Sequence, residues 1–300
     1  MNESLRVLIL GYGEMGHAME YLLQGKVQLD IWEKYPRNNF QSVLLDDAAT
    51  KSDIVLFCLP VNPHREIALR IKPLLKKDCL CLSIAKGLDE AGHTAAQIFT
   101  EVFGEKQESA LMYGPMVSED IRAGHYAFAQ LGCDNASSFN KIKQLFHDTR
   151  LYLEHTPDVV GISWSVILKN VYAIAFGIAD ELKLGDNMRG YLAATALQEL
   201  NQIVNSMGGQ AASPYHLAGL GDLIATATSE DSHHHELGCR LAREETQCTK
   251  GEGIHTLEMV QKFNLFDTKR FPLFQLIQDI VQHPHAVDMQ IEAYLKRIYY

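Results

Sequence analysis

Lys169 and Lys86 are the residues of this sequence whose type and setting most invite chemistry. Lys169, followed by Asn170, interrupts a stretch that is otherwise apolar (Val166, Ile167, Leu168, Val171, Ile174). An ammonium there is costly to bury unless paired, and desolvation lowers a lysine's pKa toward a useful range. A lysine so placed can donate a proton to a carbonyl oxygen as hydride reaches the carbon. Asp222 follows Leu217-Ala218-Gly219-Leu220-Gly221 and is a carboxylate able to hold that ammonium, with Thr226 one helical turn on. Lys86 stands in Ser83-Ile84-Ala85-Lys86-Gly87, just past an apolar run. By residue type alone, the plainer alternative for either lysine is a surface side chain with its head in water.

A partner for such a lysine is written near the N-terminus. Gly11-Tyr12-Gly13-Glu14-Met15-Gly16 is a G-x-G-x-x-G that follows the apolar run Val7–Leu10 and opens a segment with Ala18 and Leu22 on one face. In that context the first glycine makes the turn, the second admits a pyrophosphate and the third lets helix and strand pack. The helix N-terminus offers free N–H groups and a positive dipole end. Glu33 comes 22 residues after Gly11, where a carboxylate accepts hydrogen bonds from the adenosine ribose and favours NAD. Lys34 and Arg37 follow it, and a 2′-phosphate on either keeps NADP open. Leu59-Pro60-Val61-Asn62 ends the third strand-like run; Pro60 lies either beside the cofactor or in a plain connecting loop.

The elements that position these residues are legible in outline. Arg6–Leu10, Gln28–Trp32, Asp53–Leu59, Cys79–Ile84 and Ala110–Tyr113 read as strands, with helix-length segments such as Met15–Gln24 and Pro63–Leu75 between them. This alternation predicts a parallel, doubly wound sheet, with His125–Leu131 and Arg150–Glu154 as two further strands. From Asp158 to Met207 the periodicity is helical with a break at Leu184-Gly185-Asp186-Asn187. A second helical block runs from Leu257 to the end, broken at Phe271-Pro272. The predicted fold is an α/β Rossmann-type dinucleotide-binding domain, residues 1–157, followed by an all-α substrate domain, residues 158–300.

Composition narrows the partners. With 47% hydrophobic and 21% charged residues the chain is globular, and its net charge of −10 gives no electrostatic support for nucleic acid or an anionic membrane. An anionic substrate must be held by local donors. The opening residues lack the basic start and long apolar run of a signal peptide, and no window approaches the length of a membrane-spanning helix. The six cysteines (Cys58, Cys79, Cys81, Cys133, Cys239, Cys248) read as reduced thiols of a cytoplasmic protein.

Taken in order, the motifs resemble the NAD-dependent glycerol-3-phosphate dehydrogenase family over nearly the whole chain. They are the Gly11–Gly16 turn, Ala85-Lys86-Gly87, Gly114-Pro115, Leu168-Lys169-Asn170, Gly177, and Gly185-Asp186-Asn187 with Arg189. Gly208-Gly209, Gly219-Leu220-Gly221-Asp222-Leu223 and Glu252-Gly253 complete the series. The resemblance implies hydride transfer between NAD(P)H and dihydroxyacetone phosphate, giving glycerol 3-phosphate for phospholipid synthesis. It makes Lys169 the general acid and base, with Lys86 and Asp222 supporting charge around it. Asn170 and Thr226 would bind substrate oxygens, Glu252 would help position the dinucleotide, and the assembly would be a homodimer.

Two departures bear on the substrate. The family carries Ser-Phe-Ala after Gly-Pro, where this chain has Met116-Val117-Ser118. The family's Ser-Arg-Asn-Arg, which grips the substrate phosphate, is here Ser232-His233-His234-His235. Losing one charge-assisted contact weakens binding by about 1.5–3 kcal/mol. Ser232, His233 and His234 then either still bind phosphate with help from Thr226, or bind another polar head group of a related carbonyl or hydroxy substrate, or stand exposed on a site that has lost function. A dinucleotide-binding homologue without turnover is disfavoured because both lysines remain. Neighbouring histidines on one helix point in different directions, which speaks against a metal at His233-His234-His235-Glu236.

Overall fold

The computed structural model describes residues 5–37, 40–104, 107–229, 232–245 and 250–300, so Cys248 and the opening Met1–Ser4 lie outside the described residues. Two compact units emerge: Met1–Asp89 with His93–Val159, and Val160–Tyr300 with Glu90–Gly92.

The first unit alternates β1 (Arg6–Leu10), α1 (Glu14–Leu23), β2 (Gln28–Trp32), α2 (Leu45–Ala49), β3 (Ile54–Phe57), α3 (His64–Ile71) and β4 (Leu80–Ser83). It continues through α4 (Ala95–Phe103), β5 (Ser109–Tyr113), α5 (Ser118–Arg122), β6 (Ala127–Gly132), α6 (Ala136–Leu145) and β7 (Leu151–Thr156). The strands form one sheet in the order β2-β1-β3-β4-β5-β6-β7. Residues Val7 to Leu10 and Ile54 to Phe57 are all 0% exposed, which is why these strands read as unbroken apolar runs: both faces of a doubly wound sheet are covered. Every pairing is parallel except β5 with β6. The connection there holds only the five-residue α5. The whole link between these two strands, residues 114–126, is the shortest between successive strands of the sheet, so it has the least chain with which to return to the strand's start.

The second unit is helical: α7 (Val159–Glu181), α8 (Gly185–Ser206), α9 (Asp222–Thr228), α10 (His233–Ala242), α11 (Glu252–Phe263), α12 (Pro272–Gln282) and α13 (Val287–Tyr299). By length and composition α7, with 23 residues and a mean hydropathy of 1.6 over its best window, could cross a membrane; this corrects the expectation that no window reaches that length. Its apolar composition has another cause, since 89% of that window is buried inside the protein. Tyr172 of α7 packs edge-on to Phe274 of α12, and its hydroxyl donates to Glu199 of α8.

Glu199 in turn accepts the backbone N–H groups of Leu273 and Phe274 at 2.7 and 2.9 Å. A buried carboxylate thus satisfies the first turn of α12, which carries no side-chain cap of its own. Glycines set the approach of α10 to α7. A Cβ on Gly177 would overlap the His235 carbonyl, and one on Gly238 would overlap the Ile174 carbonyl. The five described cysteines are free thiols, four of them buried.

Candidate active site

The chain leaves β1 toward β2 on one side and continues through β3 on the other, so the β1–β3 boundary is the switch point where open α/β sheets take ligands. Gly11 leaves β1 with φ +94°, and a Cβ there would sit 2.7 Å from the Leu59 side chain that follows β3. A side chain on Gly16 would overlap the Gly11 carbonyl, whereas a Cβ on Gly13 would enter open space. No side chain caps the N-terminus of α1. Its first-turn N–H groups and dipole are therefore available to an anion. Glu14 pairs with Arg122 at 3.4 Å, and Met15 packs on the sheet core.

Glu33 is pinned against this turn. Its carboxylate accepts the N–H of Tyr12 at 2.8 Å and of Tyr35 at 3.0 Å. Lys34 lies 3.8 Å from Glu66. An open glycine, an uncapped helix start and a fixed carboxylate fit a dinucleotide: the turn and the start of α1 would hold its pyrophosphate, and Glu33 would accept from its ribose.

Further along the same edge, Pro60 is exposed but its carbonyl is engaged by His64 Nδ1 at 2.9 Å. His64 Nε2 lies 2.8 Å from Ser83 Oγ, and Ser83 Oγ accepts the N–H of Ala85 at 3.1 Å. The half-buried Lys86 comes next and points its ammonium toward the Gly114 carbonyl at 3.4 Å. Sequence reading missed His64 and Ser83, because their meeting across 19 residues leaves no local mark.

Burial pushes His64 down to about 4, from 6.5. In the unfolded chain it titrates at its ordinary value, so its contribution to stability is complete above 6.5 and is lost as pH falls toward 4. Between pH 7 and pH 5 the loss should be about 2 kcal/mol. Urea unfolding at both pH values should show a smaller loss for His64→Gln by that amount; equal losses would contradict a buried neutral imidazole.

The second unit holds the other charged centre. Lys169 on α7 is 4% exposed and Asp222 at the start of α9 is 2% exposed. Lys169 Nζ lies 3.3 Å from an Asp222 carboxylate oxygen and 2.5 Å from Thr226 Oγ1. Leu217–Gly221, which reads as a glycine-rich turn, is a π-helical turn running straight into α9. Gly219 lies against the Pro214 backbone there and seats the turn that delivers Asp222. The desolvated lysine is thus both paired and hydrogen-bonded, as burial requires.

Asn170, 1% exposed, donates from Nδ2 to Glu252 at 3.2 Å, so α11 meets α7 beside Lys169. A Cβ on Gly253 would stand 2.9 Å from the Asn170 carbonyl and 3.2 Å from the His234 ring, which places His234 in the same corner. Ser232 caps α10, accepting the N–H of His235 at 3.3 Å, and His233 is exposed on its first turn. His235 bonds Asp180 at 2.7 Å, and Asp180 also pairs with Arg189 at 2.6 Å. Burial pushes the Asp180 carboxyl up, but these two partners hold it below the usual range.

Residues 34–139 match the family model for the NAD-dependent glycerol-3-phosphate dehydrogenase N-terminus, and residues 158–292 match that for its C-terminus. The chain is 30% identical over 281 residues to the glycerol-3-phosphate dehydrogenase [NAD(P)+] of Fusobacterium nucleatum, covering 85% of this chain and 83% of that protein. To the enzyme of the same name from Synechocystis it is 26% identical, covering 97% and 94% of the two chains. The crystal structure of glycerol-3-phosphate dehydrogenase from Coxiella burnetii shares the fold with a TM-score of 0.83 at 23% identity, covering 98% of this chain and 99% of that one.

Proposed function

Because this chain belongs to the NAD-dependent glycerol-3-phosphate dehydrogenase family, we propose that it interconverts dihydroxyacetone phosphate and sn-glycerol 3-phosphate, with Lys169 as the proton donor and acceptor. The observation that carries this reading is the buried Lys169–Asp222–Thr226 cluster. When bound, the nicotinamide dinucleotide supplies or accepts the hydride. Lys169 gives its proton to the carbonyl oxygen during reduction and takes it from the hydroxyl during oxidation. Asp222 holds the ammonium in place and offsets its charge; Thr226 fixes its direction. Lys86 and Asn170 bind substrate oxygens, and Glu252, which accepts a hydrogen bond from Asn170, helps position the dinucleotide. In this role the enzyme works as a cytoplasmic homodimer that supplies glycerol phosphate for phospholipid assembly.

NADH is the cofactor favoured by the geometry, since a carboxylate fixed beside the glycine turn repels a 2′-phosphate. Glu33→Ser should move the ratio of kcat/KM values toward NADPH by about tenfold or more. An unchanged ratio would remove Glu33 from cofactor choice.

The reaction itself is tested by NADH oxidation with dihydroxyacetone phosphate and with unphosphorylated dihydroxyacetone in parallel. Turnover with the phosphate ester alone is the expected result. The exposed His233, standing where the family has a phosphate-gripping arginine, supports a second reading: the same hydride chemistry on a small carbonyl with another head group. NADH binding without turnover of either compound would favour that reading and sink the first.

A further inference from the structure

His64 is a titratable side chain buried in a site that packing alone does not explain. It is 0% exposed and lies 4.9 Å from the Phe57 ring and 5.8 Å from the Phe99 ring. An apolar residue would fill that space without desolvating two ring nitrogens. Its hydrogen bonds run in one direction. A backbone carbonyl only accepts, so Nδ1 carries the proton and donates it to Pro60. Nε2 must then accept, and Ser83 donates its hydroxyl hydrogen to it. The Ser83 oxygen is left with its lone pairs free for the N–H of Ala85.

The chain of bonds ends at the residue before Lys86. The carbonyl of Ala85 is held as well, by the hydroxyl of Tyr113 at 2.9 Å. Lys86 then sends its ammonium to the carbonyl of Gly114, next to Tyr113. The loop after β3 and the ends of β4 and β5 are thus joined through one residue, Ala85, with the imidazole at the far end.

We propose that His64, acting through Ser83, is a positioning residue that sets the backbone from which Lys86 projects. The proposal rests on Lys86 binding substrate, as put forward above. The Ala85 N–H has one orientation only while Ser83 is pointed at His64. With that bond gone, the Ser83 hydroxyl rotates freely, and the Lys86 ammonium loses its fixed reach.

The experiment compares Ser83→Ala, His64→Gln, His64→Asn, Lys86→Ala and the double variant Ser83→Ala/Lys86→Ala. It measures kcat and KM with dihydroxyacetone phosphate, and the Kd for NADH without substrate. Ser83→Ala should lower kcat/KM for the substrate about tenfold while the NADH Kd stays within about twofold. His64→Gln should keep most of the wild-type function, since its amide reaches as far as Nε2 and still meets Ser83. His64→Asn reaches only the Pro60 carbonyl and should behave like Ser83→Ala. In the Lys86→Ala background, Ser83→Ala should cost nothing further, because the two changes act on one group. Losses that multiply instead would overturn the positioning role while leaving Lys86 in the site. A Lys86→Ala enzyme as active as wild type would overturn the role of Lys86 and the proposal with it.

A readout free of any substrate is trace acetylation of Lys86 followed by mass spectrometry. Its reactivity should rise several-fold in Ser83→Ala and stay near the wild-type level in His64→Gln. Equal reactivity in all three proteins would overturn the proposal even if the natural substrate is another carbonyl.

Discussion

Lys169→Met should lower kcat about a thousandfold and leave the NADH Kd unchanged. Methionine keeps the length and apolar stem of lysine, so α7 retains its packing while the proton donor is lost. The residual rate would come from substrate and cofactor held in place, which proton transfer only completes. The separation of effects follows from where the residue sits. Lys169 is buried with Asp222 and Thr226 on helices of the second unit, and the glycine turn with Glu33 belongs to the first. A fall in NADH affinity alone, with kcat preserved, would mean that Lys169 holds the cofactor and that another group moves the proton. Thr226→Val is a milder companion. It removes the oxygen that Lys169 bonds at 2.5 Å and should cost about tenfold in kcat by loosening the ammonium.

How much of this was legible beforehand depends on how far apart in the chain the interacting residues lie. The Gly11–Gly16 turn is local: strand, turn and helix start sit within one short segment, and each glycine answers to a backbone clash or its absence. The runs Val7–Leu10 and Ile54–Phe57 are legible for a related reason, since burial on both faces goes with an unbroken apolar sequence there. Lys169-Asn170 stands out as two polar residues in an apolar helix. The antiparallel turn of β6 was not visible, because it goes with the short link between β5 and β6 rather than with the pattern of the strand. Nor was the burial of α7. Length and hydropathy are the same for a core helix and a membrane span, and only the neighbours that cover it differ.

Glu199 and His64 illustrate the residues that sequence reading leaves blank. Glu199 meets the N–H groups of Leu273 and Phe274 more than seventy positions on. Nothing around it in the chain announces a buried carboxylate. His64 follows Pro63 at the start of a helix and reads as an ordinary helix-end residue until Ser83 is brought against it. In both cases the fold, not the local pattern, supplies the partner. The histidines of α10 present the opposite case. Their identity is plain in the sequence, but their separate fates depend on helix phase: His233 outward, His234 toward Gly253 and His235 on Asp180.

Asp222→Asn should destabilise the protein by about 3 kcal/mol or more, because it leaves the Lys169 ammonium buried without a countercharge. The amide has nearly the shape of the carboxylate, so the loss is electrostatic rather than steric. Removing both charges should reverse most of it: Lys169→Met/Asp222→Asn should be more stable than Asp222→Asn alone, although it has lost its proton donor. Urea unfolding of the wild type, both single variants and the double variant measures the coupling directly. A double variant more stable than the wild type, with no recovery of turnover, would show that the pair is kept for its chemistry at a cost in stability. Additive losses would instead mean that water reaches the pair and screens it, and Lys169 would then lack the desolvated setting on which its assignment as proton donor depends.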